Sequence, residues 1–99
     1  MERRTFLQVK SDTLRQVCKI LHDKYHVNPN AIARATGLSP RYYADFLSGR
    51  RPKLLDKNLA LIENYIFDLY DMILVEELEM NQITIPTKEE FEKEKVKAK

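Results

Sequence analysis

The densest group of chemically active side chains lies in one short stretch of the sequence, residues 39–53. Hydroxyl, guanidinium and ammonium groups are donors for anionic oxygen, and arginine can also donate twice to the edge of a guanine. The polar members of the stretch are Ser39, Arg41, Tyr42, Asp45, Ser48, Arg50, Arg51 and Lys53. Donors at this density favour the recognition of nucleic acid, and the alternative is a surface loop that is simply solvated by its charges.

Start and stop signals divide this region into two short helices. Each helix begins with a capping side chain followed by proline, which suits the first helical position, and ends at a glycine. The capping pairs are Asn28 with Pro29 and Ser39 with Pro40, and the glycines are Gly37 and Gly49. The signals predict helices over 29–36 and 40–48 that are joined by a very tight turn. This arrangement is typical of a helix-turn-helix, whose second helix enters the major groove of DNA.

The spacing within the second of these helices separates an inner face from an outer face. Tyr43, Phe46 and Leu47 are predicted to face the core, which leaves Ser39, Arg41, Ala44, Asp45 and Ser48 on the outside. Asp45 would repel phosphate unless it accepts from a cytosine amino group or pairs with Arg41 four residues earlier, and pairing is the interpretation we favour. Arg34, on the outer side of the preceding helix, is a further candidate contact.

The remaining helices are predicted from apolar periodicity. A stripe between Leu14 and Tyr25 indicates a first helix over residues 12–25, and a second pattern indicates a long fourth helix from residue 55 or 56 to about 80. One seam of the long helix contains Leu59, Ile62, Ile66, Leu69 and Ile73, and a second set contains Leu61, Tyr65, Met72, Val75 and Leu78. Because one chain this small has little surface to cover both, we expect one of the two sets to form a homodimer contact, and the candidate contact residues are Met72, Val75 and Leu78.

Composition limits the class of protein. The chain has 99 residues, 2 glycines, 4 prolines and 1 cysteine, which indicates one compact all-α domain without a disulfide framework. We expect a cytoplasmic protein, because the first ten residues lack the pattern of a signal peptide and the richest apolar stretch, 59–78, is interrupted by acidic residues. His22 and His26 stand four residues apart without a third ligand, so no metal or cofactor is expected. No catalytic spacing is visible, and an enzyme is not expected.

Charge is distributed unevenly along the chain. Residues 1–58 contain 12 lysines and arginines against 5 acidic residues, whereas residues 59–99 contain 5 against 10. The first part has the sign of a surface that meets phosphate, and the second part has the sign of a solvated scaffold. The acidic part could also present a surface to a protein partner.

The segment from Ala31 to Arg51, AIARATGLSPRYYADFLSGRR, resembles the lambda-repressor-like helix-turn-helix family of phage, plasmid and bacterial regulators. The resemblance covers roughly residues 12–75. It implies a bundle of about five helices over residues 1–80, a polar tail over 81–99, and a sequence-specific regulator that binds double-stranded DNA as a dimeric repressor. The resemblance gives base and phosphate contacts to Ser39 and Arg41 and a phosphate contact to Ser48. Pro40 departs from the family pattern, since many relatives have a polar reader there.

The alternative is a module of this fold that binds a protein partner, as an antirepressor or an inhibitor of a host system.

Overall fold

The computed structural model describes residues 5–91, which form an all-helical bundle without a strand in this range. Five helices of eight residues or more follow one another within residues 5–91. They are α1 (Phe6–Tyr25), α2 (Pro29–Thr36), α3 (Pro40–Ser48), α4 (Asp56–Leu69) and α5 (Asp71–Met80). Residues 88–91 are also helical, and the backbone amide of Glu90 donates to the Thr87 hydroxyl at 3.2 Å.

The two short helices begin and end where the sequence signals predict. The Asn28 side chain accepts from the Asn30 amide at 2.9 Å, and the Ser39 hydroxyl accepts from the Tyr42 amide at 3.0 Å. Gly37 and Gly49 end the helices with φ of +78° and +89°, the left-handed conformation in which a Cβ atom is strained. The helix-turn-helix prediction for α2 and α3 is confirmed.

The first helix begins six residues earlier than the prediction of residues 12–25. Thr5 and Gln8 form a capping box: the Gln8 amide donates to the Thr5 hydroxyl at 3.2 Å, and the Thr5 amide donates to the Gln8 side chain at 2.8 Å. Such reciprocal bonds satisfy two backbone donors that a helix start otherwise leaves open. The helix therefore begins at Phe6, ahead of its predicted start at residue 12.

The single long fourth helix is a wrong prediction, because the chain bends at Tyr70. This residue has φ of −118° and ψ of 26°, and it separates α4 from α5. After the bend the buried positions are Leu74 and Glu77, whereas the predicted seam member Leu69 is 56% exposed and Ile73 is half-buried. The bend turns Glu77 toward the end of α1, where its carboxylate accepts from Lys24 at 2.6 Å and from Tyr25 at 2.8 Å.

The core lies between α4 and the first three helices. Helix α4 packs against both α1 and α2, α3 packs against α1 and α2, and α5 packs against α4. The fully buried side chains include Leu14, Leu21, Ile32, Tyr43, Phe46, Leu59, Ile62, Ile66 and Leu74. Ile83 and Ile85 pack against this core from the segment after α5, and the Phe91 ring lies 5.8 Å from the Phe6 ring. The part of the predicted polar tail that the structure describes is thus attached to the bundle. None of the helices in the described range is both long enough and apolar enough to cross a membrane.

Candidate nucleic-acid interface

The outer face of α3 carries the side chains that the sequence assigned to it. Tyr43 and Phe46 are 1% and 0% exposed, and their burial fixes which side of the helix faces solvent. Arg41 and Ala44 are exposed on the opposite side, together with Ser39 and Ser48 at the two ends of the helix. Ala44 offers no hydrogen-bonding group, so Arg41 is the strongest donor on this face.

The two serines also serve the helix itself. Ser39 is the N-cap, and its hydroxyl oxygen accepts from the Tyr42 amide. The Ser48 hydroxyl donates to the Asp45 carbonyl at 3.2 Å and accepts from the Arg50 amide at 3.4 Å. Ser39 retains a hydroxyl proton that can be donated to an incoming oxygen. Ser48 must give up its bond to Asp45 before it can donate to a phosphate.

Arg51 lies against α3 and is oriented by two other residues. Its guanidinium carbon is 4.6 Å from the centre of the Tyr42 ring, a distance at which cation and ring attract each other. The Tyr42 hydroxyl in turn accepts from the Asn58 side chain at 2.9 Å, which connects the ring to the start of α4. The structure therefore places the Arg51 cation beside the helix that carries Arg41.

The predicted pairing of Asp45 with Arg41 is wrong. No ion pair joins the two residues in the part of the chain that the structure describes, although they stand four apart on α3. The Asp45 carbonyl accepts from the Arg51 amide at 3.0 Å, which closes the turn after α3. The Asp45 carboxylate thus remains a negative charge on the side of Arg41, where it disfavours phosphate and favours an amino group.

Residues 49–53, which we call the basic loop, present three exposed cations. Arg50, Arg51 and Lys53 are each classed as exposed, and no acidic side chain within residues 5–91 forms an ion pair with any of them. Arg34 is exposed on α2. The loop and α3 therefore form one donor surface, with Arg34 as a separate candidate.

Two residues of α1 that the sequence analysis did not select hold the basic loop. Arg15 donates to the Phe46 carbonyl at 2.6 Å and to the Arg51 carbonyl at 3.0 Å. Ser11, one turn earlier, accepts from the Leu54 amide at 3.1 Å. These contacts join residues that are separated by 31, 36 and 43 positions in the sequence. A local sequence pattern cannot predict contacts over such separations.

Of the three residues of the candidate dimer contact, two are exposed and one packs against the core. Met72 is 87% exposed and Val75 is 56% exposed on the outer side of α5. Leu78 is half-buried and packs against the core, so it faces away from this surface. Asp71 and Glu76, also exposed, accompany the two apolar side chains. The surface available to a partner is thus a small apolar patch with an acidic border.

His22 and His26 lie at the C-terminal end of α1, and Cys18 is buried in the core. His22 Nδ1 lies 3.3 Å from the Val27 carbonyl, and His26 ends α1 in the left-handed conformation. No cluster of three or more potential metal ligands occurs within residues 5–91. Burial raises the pKa of the Cys18 thiol to about 11, so the thiol is protonated at neutral pH.

Comparison of the chain with protein-family models, curated proteins and solved structures gives no match.

Proposed function

We propose that this chain is a sequence-specific DNA-binding regulator of the lambda-repressor-like type, acting as a cytoplasmic dimeric repressor. The observation that carries the proposal is the position of Arg51, stacked on Tyr42 of α3 beside the exposed Arg41. In this position the basic loop can bind phosphate while α3 lies in the major groove. Arg41 then contacts a base edge, and Arg50, Arg51 and Lys53 bind the backbone next to it.

The dimer is the second part of the proposal and rests on the exposed side of α5. Met72 and Val75 of one copy would pack against the same residues of its partner, which makes the contact isologous. A two-fold dimer presents two copies of α3, which must be about 34 Å apart to enter successive major grooves on one side of DNA. We therefore expect an inverted repeat as the binding site.

The experiment that tests sequence-specific binding compares wild type with Arg41→Ala by selecting bound sequences from a random duplex pool. We expect wild type to enrich an inverted repeat. Arg41→Ala should lose preference at one or two base pairs of each half-site, a loss of about 1–3 kcal/mol for the cognate base. Lys19→Ala, which removes an exposed cation of α1, is the control and should keep the wild-type preference. Unchanged preference in Arg41→Ala would remove this residue from the reading set.

A module that binds a protein partner is the second candidate function. It is favoured by the Asp45 carboxylate, which forms no ion pair within residues 5–91, and by the lack of a donor in the side chains of Ala44 and Pro40. Helix α3 therefore has few groups that read bases. Duplex binding separates the two candidates, because a protein-only binder shows little affinity for random duplex even at low salt.

A further inference from the structure

We infer that Arg15 is a positioning residue for DNA binding: it holds the basic loop where the cations of the loop meet phosphate. The inference rests on the function proposed above and adds a residue that lies outside the predicted contact surface. Arg15 is on α1, and its side chain is 13% exposed. It is thus placed to act through the backbone of the loop and through α3.

One guanidinium group makes all the connections. Its Nε donates to the Phe46 carbonyl at 2.6 Å, its Nη2 donates to the Arg51 carbonyl at 3.0 Å, and its Nη1 donates to Asp12 at 2.7 Å. The guanidinium carbon also lies 5.0 Å from the centre of the Phe46 ring. Because the group is planar and rigid, two carbonyls bound to it are held at a fixed separation.

The two carbonyls lie on either side of the turn that begins the basic loop. Phe46 is in the last turn of α3, and Arg51 is the middle residue of residues 49–53. The far end of the loop is held by the same helix, since the Leu54 amide donates to Ser11 and the Leu54 side chain is 1% exposed. The loop is therefore attached to α1 at its middle, through Arg51, and at the residue that follows it, Leu54, while the side chains of Arg50 and Arg51 remain exposed.

This attachment gives the loop its role in binding. A loop that is already ordered loses less conformational freedom on binding than a loop that must be ordered by its ligand. Arg51 benefits most directly, because its backbone is fixed by Arg15 and Asp45 while its side chain is stacked on Tyr42. Removal of the two-carbonyl connection should weaken phosphate contacts without removing any side chain that makes them.

Arg15→Lys tests the inference, since lysine keeps the charge but has no planar group that can span two carbonyls. Lys19→Arg is the matched control, because it also replaces one of these two cationic side chains by the other, but at an exposed position of α1. Hydrogen exchange of the Arg51 amide reports the order of the loop, and exchange of core amides such as that of Leu14 reports global stability. Affinity for a random duplex across a salt series reports the number of phosphate contacts.

In Arg15→Lys we expect the hydrogen-exchange rate of the Arg51 amide to rise roughly tenfold, because the loop loses its hydrogen bonds to a charged group. The exchange rates of core amides should stay unchanged. Duplex affinity should fall roughly tenfold, and the slope of log affinity against log salt should become shallower by about one unit. Adding Arg15→Lys to a variant that lacks all three loop cations, Arg50→Ala with Arg51→Ala and Lys53→Ala, should cause no further loss. Arg15→Met, which keeps packing on Phe46, is the second variant if Arg15→Lys does not fold, and the same results are expected.

The inference is overturned if a folded Arg15 variant keeps the wild-type duplex affinity, the wild-type salt slope or the wild-type exchange rate of the Arg51 amide. The proposed function would then remain in place. A further loss of affinity on top of the variant without the three loop cations would also overturn the inference, since Arg15 would then act by a route other than the loop. If the wild-type chain does not bind duplex, the proposed function fails, and the phosphate role of the loop fails with it.

Discussion

At the scale of single residues, Glu77 shows how a buried charge is accommodated in this bundle. Its carboxylate, on a residue that is 4% exposed, accepts from Lys24 and Tyr25 of α1 and from Asn81 after α5. The hydrogen bond from Lys24, followed by the one from Tyr25, lowers the pKa of Glu77 below its ordinary value. The charged form is therefore the one that holds α5 against α1.

A pH dependence of stability follows for Glu77. Because its pKa is lower in the folded state than in the unfolded state, its contribution is present above the unfolded pKa and is lost as pH falls through the folded pKa. Glu77→Gln should lower the thermal midpoint at pH 7 by several degrees and reduce the further loss that follows as the pH falls below 4.5, the ordinary pKa of the group. Thermal unfolding across this pH range provides the measurement, with Glu79→Gln at an exposed position as the control. Equal acid sensitivity in Glu77→Gln and wild type would contradict this role.

The donor surface shows which residue positions a sequence can predict. The exposed positions of Arg41, Arg50 and Arg51 were predicted because the three residues lie within or directly after a helix with clear start and stop signals. Arg15 and Asn58 were missed, because their role depends on contacts with residues far along the chain. The Asp45–Arg41 pairing was wrong although its spacing is favourable, since a pair on an exposed helix face gains little free energy and is easily replaced by solvent.

At the scale of helices, the accuracy of the predictions follows the strength of the local signals. Helices α2 and α3 were predicted to the residue, because a capping side chain with proline opens each and a glycine closes each. The bend at Tyr70 was not predicted, because no glycine or proline, which would indicate the end of a helix, lies near it in the sequence. It directs Leu74 and Glu77 toward the bundle, and this outcome of tertiary packing lies outside what helical periodicity describes.

The turn between α2 and α3 provides the prediction at this scale. Gly37 has φ of +78°, and a Cβ atom placed there would have no heavy atom within 4 Å, so the cost of a side chain is conformational alone. Gly37→Ala should lower the free energy of unfolding by about 1–2 kcal/mol. Gly37→Asn should cost less, since asparagine adopts the left-handed conformation more readily. Urea unfolding of the three proteins checks the order, and an alanine variant as stable as wild type would contradict it.

At the scale of the whole molecule, opposite charges are separated along the chain. The basic loop and α3 carry exposed cations, whereas the outer side of α5 has Met72 and Val75 beside exposed carboxylates. In a dimer formed through α5, the carboxylates of the two copies approach each other. Salt screens such repulsion, so this dimer should become tighter as ionic strength rises, whereas DNA binding should become weaker.

Met72→Glu tests the proposed dimer. Since Met72 is 87% exposed, the substitution should leave the fold unchanged, and the added charge should disfavour self-association. We expect a folded monomer with sharply weaker binding to an inverted-repeat duplex, because the second half-site contact is then no longer intramolecular. Met72→Leu is the control and should remain dimeric. Sedimentation at micromolar concentration over a salt series measures the effect; a wild-type species near 11.7 kDa at every concentration and salt would exclude the dimer.

The salt dependence of duplex affinity tests the proposed binding of DNA phosphate by the basic loop beside α3. For wild type we expect log affinity for a random duplex to fall linearly with log salt. The Arg50→Ala, Arg51→Ala double variant should lower the affinity and make the slope shallower by about two units, one for each lost contact. The Lys19→Ala, Lys88→Ala variant removes the same charge outside this surface and should keep the wild-type slope. A wild-type slope in the Arg50→Ala, Arg51→Ala variant, or no wild-type binding at low salt, would contradict the claim.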